Sequence, residues 1–241
     1  SAPDIAEAVR LTLRELSLQP QPREHVERWI GNGIGPLLTR AITHATGRTP
    51  DTQELTRVKA RFEGHYATCN GRLSRVYDGV QSCLAALRRA DLPMACITNK
   101  PYAFAVQLLA AHDLDHFFSF VVGGDSLAAS KPDPLPLTHA AERLGVRCAQ
   151  ICMVGDSKND VAAARAAGCI SVCVSYGYNH GEDIAASSPD ALIETAMAEA
   201  RRLAQLPAPA FANTKRKERG ATVQLIRQTL DTDIARSFGP A

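Results

Sequence analysis

Asp156 and Asp160 are two acids four residues apart, with small and polar residues between them. The apolar run 150–154 before them predicts a strand that ends at Gly155, and the alanine-rich segment 161–167 after them predicts a helix. Both acids therefore belong where a strand gives way to a helix, the usual ligand-binding edge of a parallel α/β sheet. Paired carboxylates at such an edge suit a hard cation such as Mg²⁺. The alternative is that they are acids at a helix N-terminus, stabilised by the helix dipole.

Two further polar sites follow predicted strands. Thr98 and Asn99 end the apolar run that begins at Leu92, and a hydroxyl with backbone N–H groups at such a turn can bind phosphate oxygens. Lys131 precedes Pro132, and an ammonium held there and aimed inward would offset charge on a transferring phosphoryl group. The alternatives are a Thr/Asn helix cap and a solvated loop lysine. A hydroxyl, a lysine and paired acids at successive strand ends nevertheless form a set.

The elements that must position these residues fall into three stretches. Residues 1–77 show apolar positions at helical spacing and no strand-like alternation, which predicts a small helical domain. Residues 78–206 alternate strands with helices, which predicts an α/β domain with a parallel sheet. Its strands are continuous apolar runs, as expected when both faces of the sheet are covered. Residues 207–241 predict a linker and a tail, helical or solvated, with a basic run at 215–219.

The boundaries of the individual elements follow from the same patterns. The predicted helices are 4–19, 25–30, 37–46, 55–70, 81–90, 102–112, 135–144, 161–167 and 194–206. The predicted strands are 92–98, 117–122, 150–154, 170–174 and 190–193.

Composition excludes several classes of function. A formal net charge of +2 over 241 residues gives no reason to expect a nucleic-acid partner. No apolar run is long enough to span a bilayer, and residues 1–6 lack the features of a secretory signal. The seven cysteines are odd in number, form no C-x-x-C pair and fall largely in apolar runs, which favours buried thiols over zinc ligands. We expect a cytoplasmic protein in a reducing compartment, with a homo-oligomer left open.

The set Thr98-Asn99, Lys131-Pro132 and Gly155-Asp156-Ser157-x-x-Asp160 resembles motifs two, three and four of the haloacid dehalogenase-like hydrolases. Longer matches resemble the bacterial phosphoglycolate phosphatases within that family. They are Trp29-Ile30-Gly31-Asn32-Gly33, Thr98-Asn99-Lys100-Pro101, Val122-Gly123-Gly124-Asp125, Lys131-Pro132-Asp133-Pro134 and Gly177-Tyr178-Asn179-His180-Gly181. The resemblance runs from Ser1 to about Ile193. It implies a Rossmann-like core with a small all-helical cap that covers the site and selects the substrate.

The resemblance also implies an activity and a role for each matched residue. The activity is Mg²⁺-dependent hydrolysis of a small phosphorylated metabolite, 2-phosphoglycolate, to glycolate and phosphate through a phospho-aspartate intermediate. Asp156 would be a metal ligand, and Asp160 would support the metal site or hold Lys131. Lys131 would steady the nucleophile and the phosphate, while Thr98 and Asn99 would grip phosphate oxygens.

The cap loop 29–33 has two interpretations. Its backbone N–H groups would be candidates for contacts with the carboxylate of a small substrate. Alternatively, Trp29 packs the core of the cap and the glycines only turn the chain.

The family's nucleophile and its second acid lie in motif one, D-x-D-G-T-L-x-D-S, which nothing in residues 1–241 matches. Ser1-Ala2-Pro3-Asp4 resembles the sequence that directly follows that motif. We therefore expect the chain to begin after the catalytic aspartates, to lack the first, central strand of the sheet, and to be nearly inactive by itself. Other functions compatible with the family are a different phosphatase, a phosphomutase, or a fragment that keeps the fold without the reaction.

Overall fold

Helices make up the first part of the chain, and the first strand begins only at Ala95. The computed structural model describes residues 1–30, 33–179 and 181–193, so the predicted helix 194–206 and the tail 207–241 lie outside them. The helices are α1 (Ala2–Glu15), α2 (Arg23–Trp29), α3 (Ile34–Thr46), α4 (Thr52–Cys69), α5 (Val80–Arg89), α6 (Tyr102–Ala111), α7 (Leu135–Leu144) and α8 (Lys158–Ala167). The strands are β1 (Ala95–Ile97), β2 (Phe120–Val122), β3 (Cys152–Gly155), β4 (Ile170–Val174) and β5 (Ala191–Ile193). Short 3₁₀ turns occupy Asp115–Phe117, Cys148–Gln150 and Ile184–Ser187.

The chain divides into two compact units. The first consists of Ser1–Arg75, Thr98–Asp115 and Gly123–Ser126, so it contains α1 to α4 and also α6. The second consists of Val76–Ile97, His116–Val122 and the described residues from Leu127 onward, and it contains all five described strands. The assignment of residues 1–77 as a cap and 78–206 as a core stays a prediction. None of the helices in the described part of the chain is long and apolar enough to cross a bilayer.

The first unit is held together by an apolar core between its helices. Leu13 of α1 and Phe62 and Tyr66 of α4 are almost fully buried in that core, and Phe104 of α6 packs against it. Burial of each large apolar side chain contributes about 1.5–3 kcal/mol. Asp4 ties α1 to the segment that follows α4, because its buried carboxylate accepts backbone N–H groups from that segment.

The second unit contains two parallel sheets. β1 pairs with β2, and β3, β4 and β5 form the other sheet in that order. Leu137 of α7 and Ala163 of α8 pack with Ile97 and Met153, so strands from both sheets share one core cluster. Leu87 of α5 packs against a different cluster that includes β4. The prediction of an α/β fold with parallel strands flanked by helices is confirmed.

The prediction that the strands are covered on both faces is right for β4 and wrong for β1 and β3. Residues 170–173 of β4 are all buried, whereas every residue of β1 is half-buried and Val154 of β3 is 46% exposed. The reason is an open edge, because within residues 1–30, 33–179 and 181–193 β1 pairs only with β2 and β3 only with β4.

Burial also explains the protonation state of two cysteine thiols. All seven thiols are free, and Cys69, Cys169 and Cys173 are buried. Desolvation raises the pKa of Cys169 and of Cys173 to about 12, so these side chains stay protonated at neutral pH. They behave as small apolar groups of the core, as the sequence predicts.

Candidate functional site

Lys131 links the end of β1 to the first turn of α8 in the second unit. Its ammonium donates to the carbonyl oxygen of Ile97, the last residue of β1, at 2.8 Å. It also forms an ion pair with Oδ1 of Asp160, at 2.6 Å. Lys131 is 8% exposed and Asp160 4% exposed, which excludes a solvated loop lysine. A buried charge is tolerated at such a place because it is paired and hydrogen-bonded.

Asp160 uses its second oxygen to close the turn between β3 and α8. Oδ2 accepts the N–H of Asp156 at 3.0 Å, the N–H of Ser157 at 3.1 Å and the Ser157 hydroxyl at 2.9 Å. Burial alone would raise the pKa of Asp160, but the Lys131 charge and these hydrogen bonds outweigh it and hold the pKa below its usual value. The carboxylate is therefore ionised and has four donors on its two oxygens.

The position of Asp160 corrects one predicted boundary. α8 begins at Lys158 rather than at residue 161, so Asp160 lies within the first turn of the helix. Ser157 is the N-cap residue, and its bonds with Asp160 form a capping box. The alternative of an acid at a helix N-terminus is thus correct for Asp160, in addition to its ion pair. Asp156 lies before the N-cap and outside the helix.

Asp156 is enclosed by the loop that follows β4. The N–H of Tyr178 donates to its Oδ2 at 3.0 Å. Gly177 must be glycine, because a Cβ atom there would overlap the Asp156 side chain. The Asn179 side chain accepts the N–H of Lys158 at 2.8 Å and so ties the same loop to the start of α8. Position 180 of this motif lies outside the described residues.

The surroundings of Asp156 differ from those of Asp160. Burial is the main cause that raises the pKa of Asp156, and the neighbouring Asp160 charge adds to it. The N–H of Tyr178 engages Oδ2 of Asp156, whereas both oxygens of Asp160 accept hydrogen bonds from several donors. A partly buried carboxylate oxygen beside a second acid fits Mg²⁺, which prefers oxygen ligands. When bound, such an ion supplies positive charge that polarises a phosphoryl oxygen.

Thr98 and Asn99 lie in the turn between β1 and α6, which belongs to the first unit. The N–H of Lys100 donates to Oγ1 of Thr98 at 3.1 Å. Neither residue caps α6, whose N-cap is Pro101 and whose Tyr102 N–H instead donates to Oδ1 of Asp125 at 2.7 Å. The alternative of a Thr/Asn helix cap is therefore wrong.

Two glycines bring the loop after β2 against this turn. A Cβ atom at Gly123 would overlap the backbone of Tyr102, and one at Gly124 would overlap the carbonyl of Asn99. The N–H of Gly124 donates to the carbonyl oxygen of Lys100 at 2.8 Å, so the turn is held from outside. The Gly-Gly-Asp motif thus fixes the conformation of the turn that carries Thr98.

Sequence reasoning assigned no chemistry to Lys100, and the structure gives it a distinctive environment. Its ammonium hydrogen-bonds the hydroxyl of Tyr66 and lies 4.7 Å from the centre of that ring. Burial lowers the pKa of Lys100 to about 8, although the charge of Asp4 acts in the opposite direction. The available signal was a lysine directly after a predicted phosphate-binding turn. Its partner, 34 residues away in α4, could not be identified from the sequence.

The structure favours a packing role for Trp29. Trp29 packs against the core of the first unit, and its ring lies 5.6 Å from that of His44. Its carbonyl oxygen accepts a hydrogen bond from Arg40 at 3.1 Å. Residues 31 and 32 of the loop lie outside the described residues, so the predicted carboxylate contact of this loop stays a prediction.

Comparison with known proteins agrees with this geometry. A family model described as haloacid dehalogenase-like hydrolase matches residues 1–168. The chain is 46% identical over 195 residues to a plasmid-encoded phosphoglycolate phosphatase of Cupriavidus necator, covering 80% of this chain and 83% of that protein. It is 42% identical over 205 residues to a phosphoglycolate phosphatase of Nitrosospira multiformis, covering 85% and 90%.

A solved structure gives the same result. It is a crystal structure described as that of a predicted phosphoglycolate phosphatase from Haemophilus somnus. It superposes with a TM-score of 0.77 at 35% sequence identity, covering 85% of this chain and 92% of that one. The resemblance found in motifs two, three and four is thereby confirmed, and the chain belongs to the haloacid dehalogenase-like hydrolases, with phosphoglycolate phosphatases among its relatives.

Proposed function

We propose that this chain serves a Mg²⁺-dependent phosphatase that hydrolyses 2-phosphoglycolate to glycolate and inorganic phosphate. The observation that carries the proposal is the buried ammonium of Lys131, fixed between the Ile97 carbonyl at the end of β1 and Asp160 in the first turn of α8. An ion pair that served only the fold would not need to lie at the carboxyl end of a strand, where α/β proteins usually bind ligands. The names of the relatives support the choice of substrate.

In this proposal each residue has one task. Asp156 would hold Mg²⁺, whereas Asp160 holds Lys131 and the turn. Lys131 offsets negative charge on the phosphoryl group, and the transition state spreads that charge over three oxygens. Thr98 and Asn99 supply donors to phosphate oxygens, and positioned donors of this kind account for much of the catalysis of phosphoryl transfer.

The covalent step is also part of the proposal. An aspartate attacks phosphorus and the ester P–O bond breaks, while a second acid gives its proton to the departing glycolate oxygen. Water then attacks the phospho-aspartate and releases phosphate, which regenerates the carboxylate. The two acids are those of the D-x-D-G-T motif, which has no match in residues 1–241. The test therefore needs a version of the protein in which that motif is supplied.

Phosphate release from 2-phosphoglycolate with Mg²⁺ tests the proposal. We expect turnover from a version that carries the D-x-D-G-T-L-x-D-S segment ahead of Ser1, and almost none from the chain alone. Equal turnover by both would refute the role of that motif. A preference for hexose phosphates over 2-phosphoglycolate would favour the phosphomutase, and absence of turnover on every phosphate ester would favour a fragment that only keeps the fold.

A further inference from the structure

Lys100 combines three features that the proposed mechanism does not use. It lies in the first unit, in the turn that carries Thr98, and its own N–H donates to the Thr98 hydroxyl oxygen at 3.1 Å. Its side chain reaches α4, where the ammonium donates to the Tyr66 hydroxyl and lies over the Tyr66 ring. Tyr66 is 2% exposed, so the group that receives the ammonium is itself rigidly packed.

The ammonium of Lys100 has no carboxylate partner among the described residues. Its hydrogen bond to Tyr66 uses one of three donors, and no acid of residues 1–30, 33–179 or 181–193 lies within ion-pair distance of it. Asp4 is the charged neighbour, and its carboxylate is already occupied by the N–H groups of Gly71 at 3.1 Å, Leu73 at 2.6 Å and Ser74 at 3.2 Å. A partly buried cation with spare donors is costly unless an anion completes it.

Lys100 lies two residues after Thr98 in the chain, which suits a short phosphate ester that also carries a carboxylate. In 2-phosphoglycolate the carboxylate and the phosphate are joined only by a CH₂–O link, so the two groups that bind them must be close together. Thr98, to which the proposal assigns phosphate oxygens, and Lys100 belong to one hydrogen-bonded turn. The backbone of that turn is fixed by Gly124, whose N–H donates to the Lys100 carbonyl oxygen at 2.8 Å.

We propose that the Lys100 ammonium, positioned by the Tyr66 hydroxyl, binds the carboxylate of the substrate and makes the protein select phosphate esters of short carboxylic acids over those of neutral alcohols. This inference rests on the proposed function and adds the group that distinguishes the substrate. The ring of Tyr66 supports the same role, because an aromatic face stabilises the charged form of a nearby lysine.

Calorimetric binding to the 241-residue chain tests the inference without any need for turnover. The probes are 2-phosphoglycolate and ethyl phosphate, which differ in the carboxylate, in the same Mg²⁺ buffer. We expect the unaltered chain to bind 2-phosphoglycolate on the order of 100-fold more tightly, the effect typical of a buried charge pair. Lys100→Met should abolish that preference and leave the affinity for ethyl phosphate within about threefold.

Two further variants separate recognition from folding. Lys59→Met removes an exposed lysine of α4 that forms an ion pair with Glu63 at 3.7 Å, and it should keep the full preference. Tyr66→Phe keeps the buried ring and removes only the hydroxyl, so it should reduce the preference by about tenfold, the value of one hydrogen bond to a charged group.

Several results would overturn the inference. An unchanged preference in Lys100→Met would do so, and so would an equal loss of affinity for both probes, which would place Lys100 on the phosphate. No preference, or no binding, by the unaltered chain would also contradict it. Failure of the proposed function is a different result: a preference that depends on Lys100, but no turnover once the D-x-D-G-T segment is supplied.

Discussion

Lys131 and Lys100 are two largely buried lysines whose ammonium groups have different partners. Lys131 of the second unit has a carboxylate at 2.6 Å and a carbonyl oxygen at 2.8 Å. Lys100 of the first unit has a tyrosine hydroxyl and a distant acid that is occupied by backbone groups. The Lys131 ammonium thus finds its ion-pair and hydrogen-bond partners within the protein. The Lys100 ammonium lacks an ion-pair partner among the described residues until an anion binds. A completed ion pair is costly to break and fixes an electric field, whereas a charge without an ion-pair partner favours a ligand at the expense of stability.

The largest expected effect comes from breaking the completed pair. Lys131→Met should lower the free energy of unfolding by about 3–5 kcal/mol, because it leaves the Asp160 carboxylate buried without its cation. Asp160→Asn should act in the same direction. The double variant should lose much less than the sum of the two, and urea unfolding measures all three values. Additive losses would show that the two side chains do not interact as described.

An intermediate effect is expected where the loop after β4 encloses Asp156. Gly177→Ala places a methyl group against the Asp156 side chain, so the carboxylate must move. We expect a loss of about 1–3 kcal/mol in unfolding free energy and a lower affinity for Mg²⁺, measured by calorimetry. Gly64→Ala is the control, since a Cβ atom there meets nothing within 4 Å and α4 gains a better helix former. Unchanged Mg²⁺ affinity in Gly177→Ala would argue against Asp156 as a ligand.

The smallest effect has the opposite sign and belongs to Lys100. At pH 7 both the folded and the unfolded chain hold Lys100 protonated, and the folded chain bears the cost of burying that charge. Lys100→Met should therefore raise the free energy of unfolding, by on the order of 1 kcal/mol after allowance for partial exposure. A clear destabilisation, seen in urea unfolding at pH 7, would contradict the description of Lys100 as an uncompensated charge.

The pH dependence of stability sharpens the same contrast. Burial lowers the pKa of Lys100 to about 8 from an ordinary value of 10.5, so the folded chain releases this proton before the unfolded chain does. The unfolded state binds more protons in that interval, and stability therefore rises with pH between about 8 and 10.5. The difference between the unaltered chain and Lys100→Met isolates this rise. A flat difference across the interval would exclude the lowered pKa.

The sequence predicts the presence of the helices and strands better than the residues at which they begin and end. α7 and β4 have the bounds predicted for them, but β1 is three residues long where an apolar run predicts 92–98. An apolar run marks buried chain, whereas a strand also requires a partner, and β1 finds one only over Ala95–Ile97. The early start of α8 was visible in principle, because Ser157 and Asp160 have the spacing of a capping box. α3 begins at Ile34 rather than 37, since its Pro36 is tolerated in the first helical turn.

For the candidate site, the sequence could select residues that lie close together in the chain but not contacts between distant residues. Asp156 and Asp160 lie in one short stretch, so their type and spacing were enough to select them. Lys131 was selectable only as part of a set, because its partner Asp160 is 29 residues away. The contact between Lys100 and Tyr66 depends on the packing of α4, which no local pattern encodes.

The most direct test of the catalytic role of Lys131 removes both charges of the completed pair. In the version that carries the D-x-D-G-T segment, Lys131→Met/Asp160→Asn keeps the buried site neutral, and Lys59→Met serves as the control. We predict that the double variant remains folded and releases phosphate from 2-phosphoglycolate on the order of 1,000-fold more slowly than the control, in line with the loss of a positioned electrostatic group. Turnover within a few-fold of the control would show that the ammonium of Lys131 serves the fold alone.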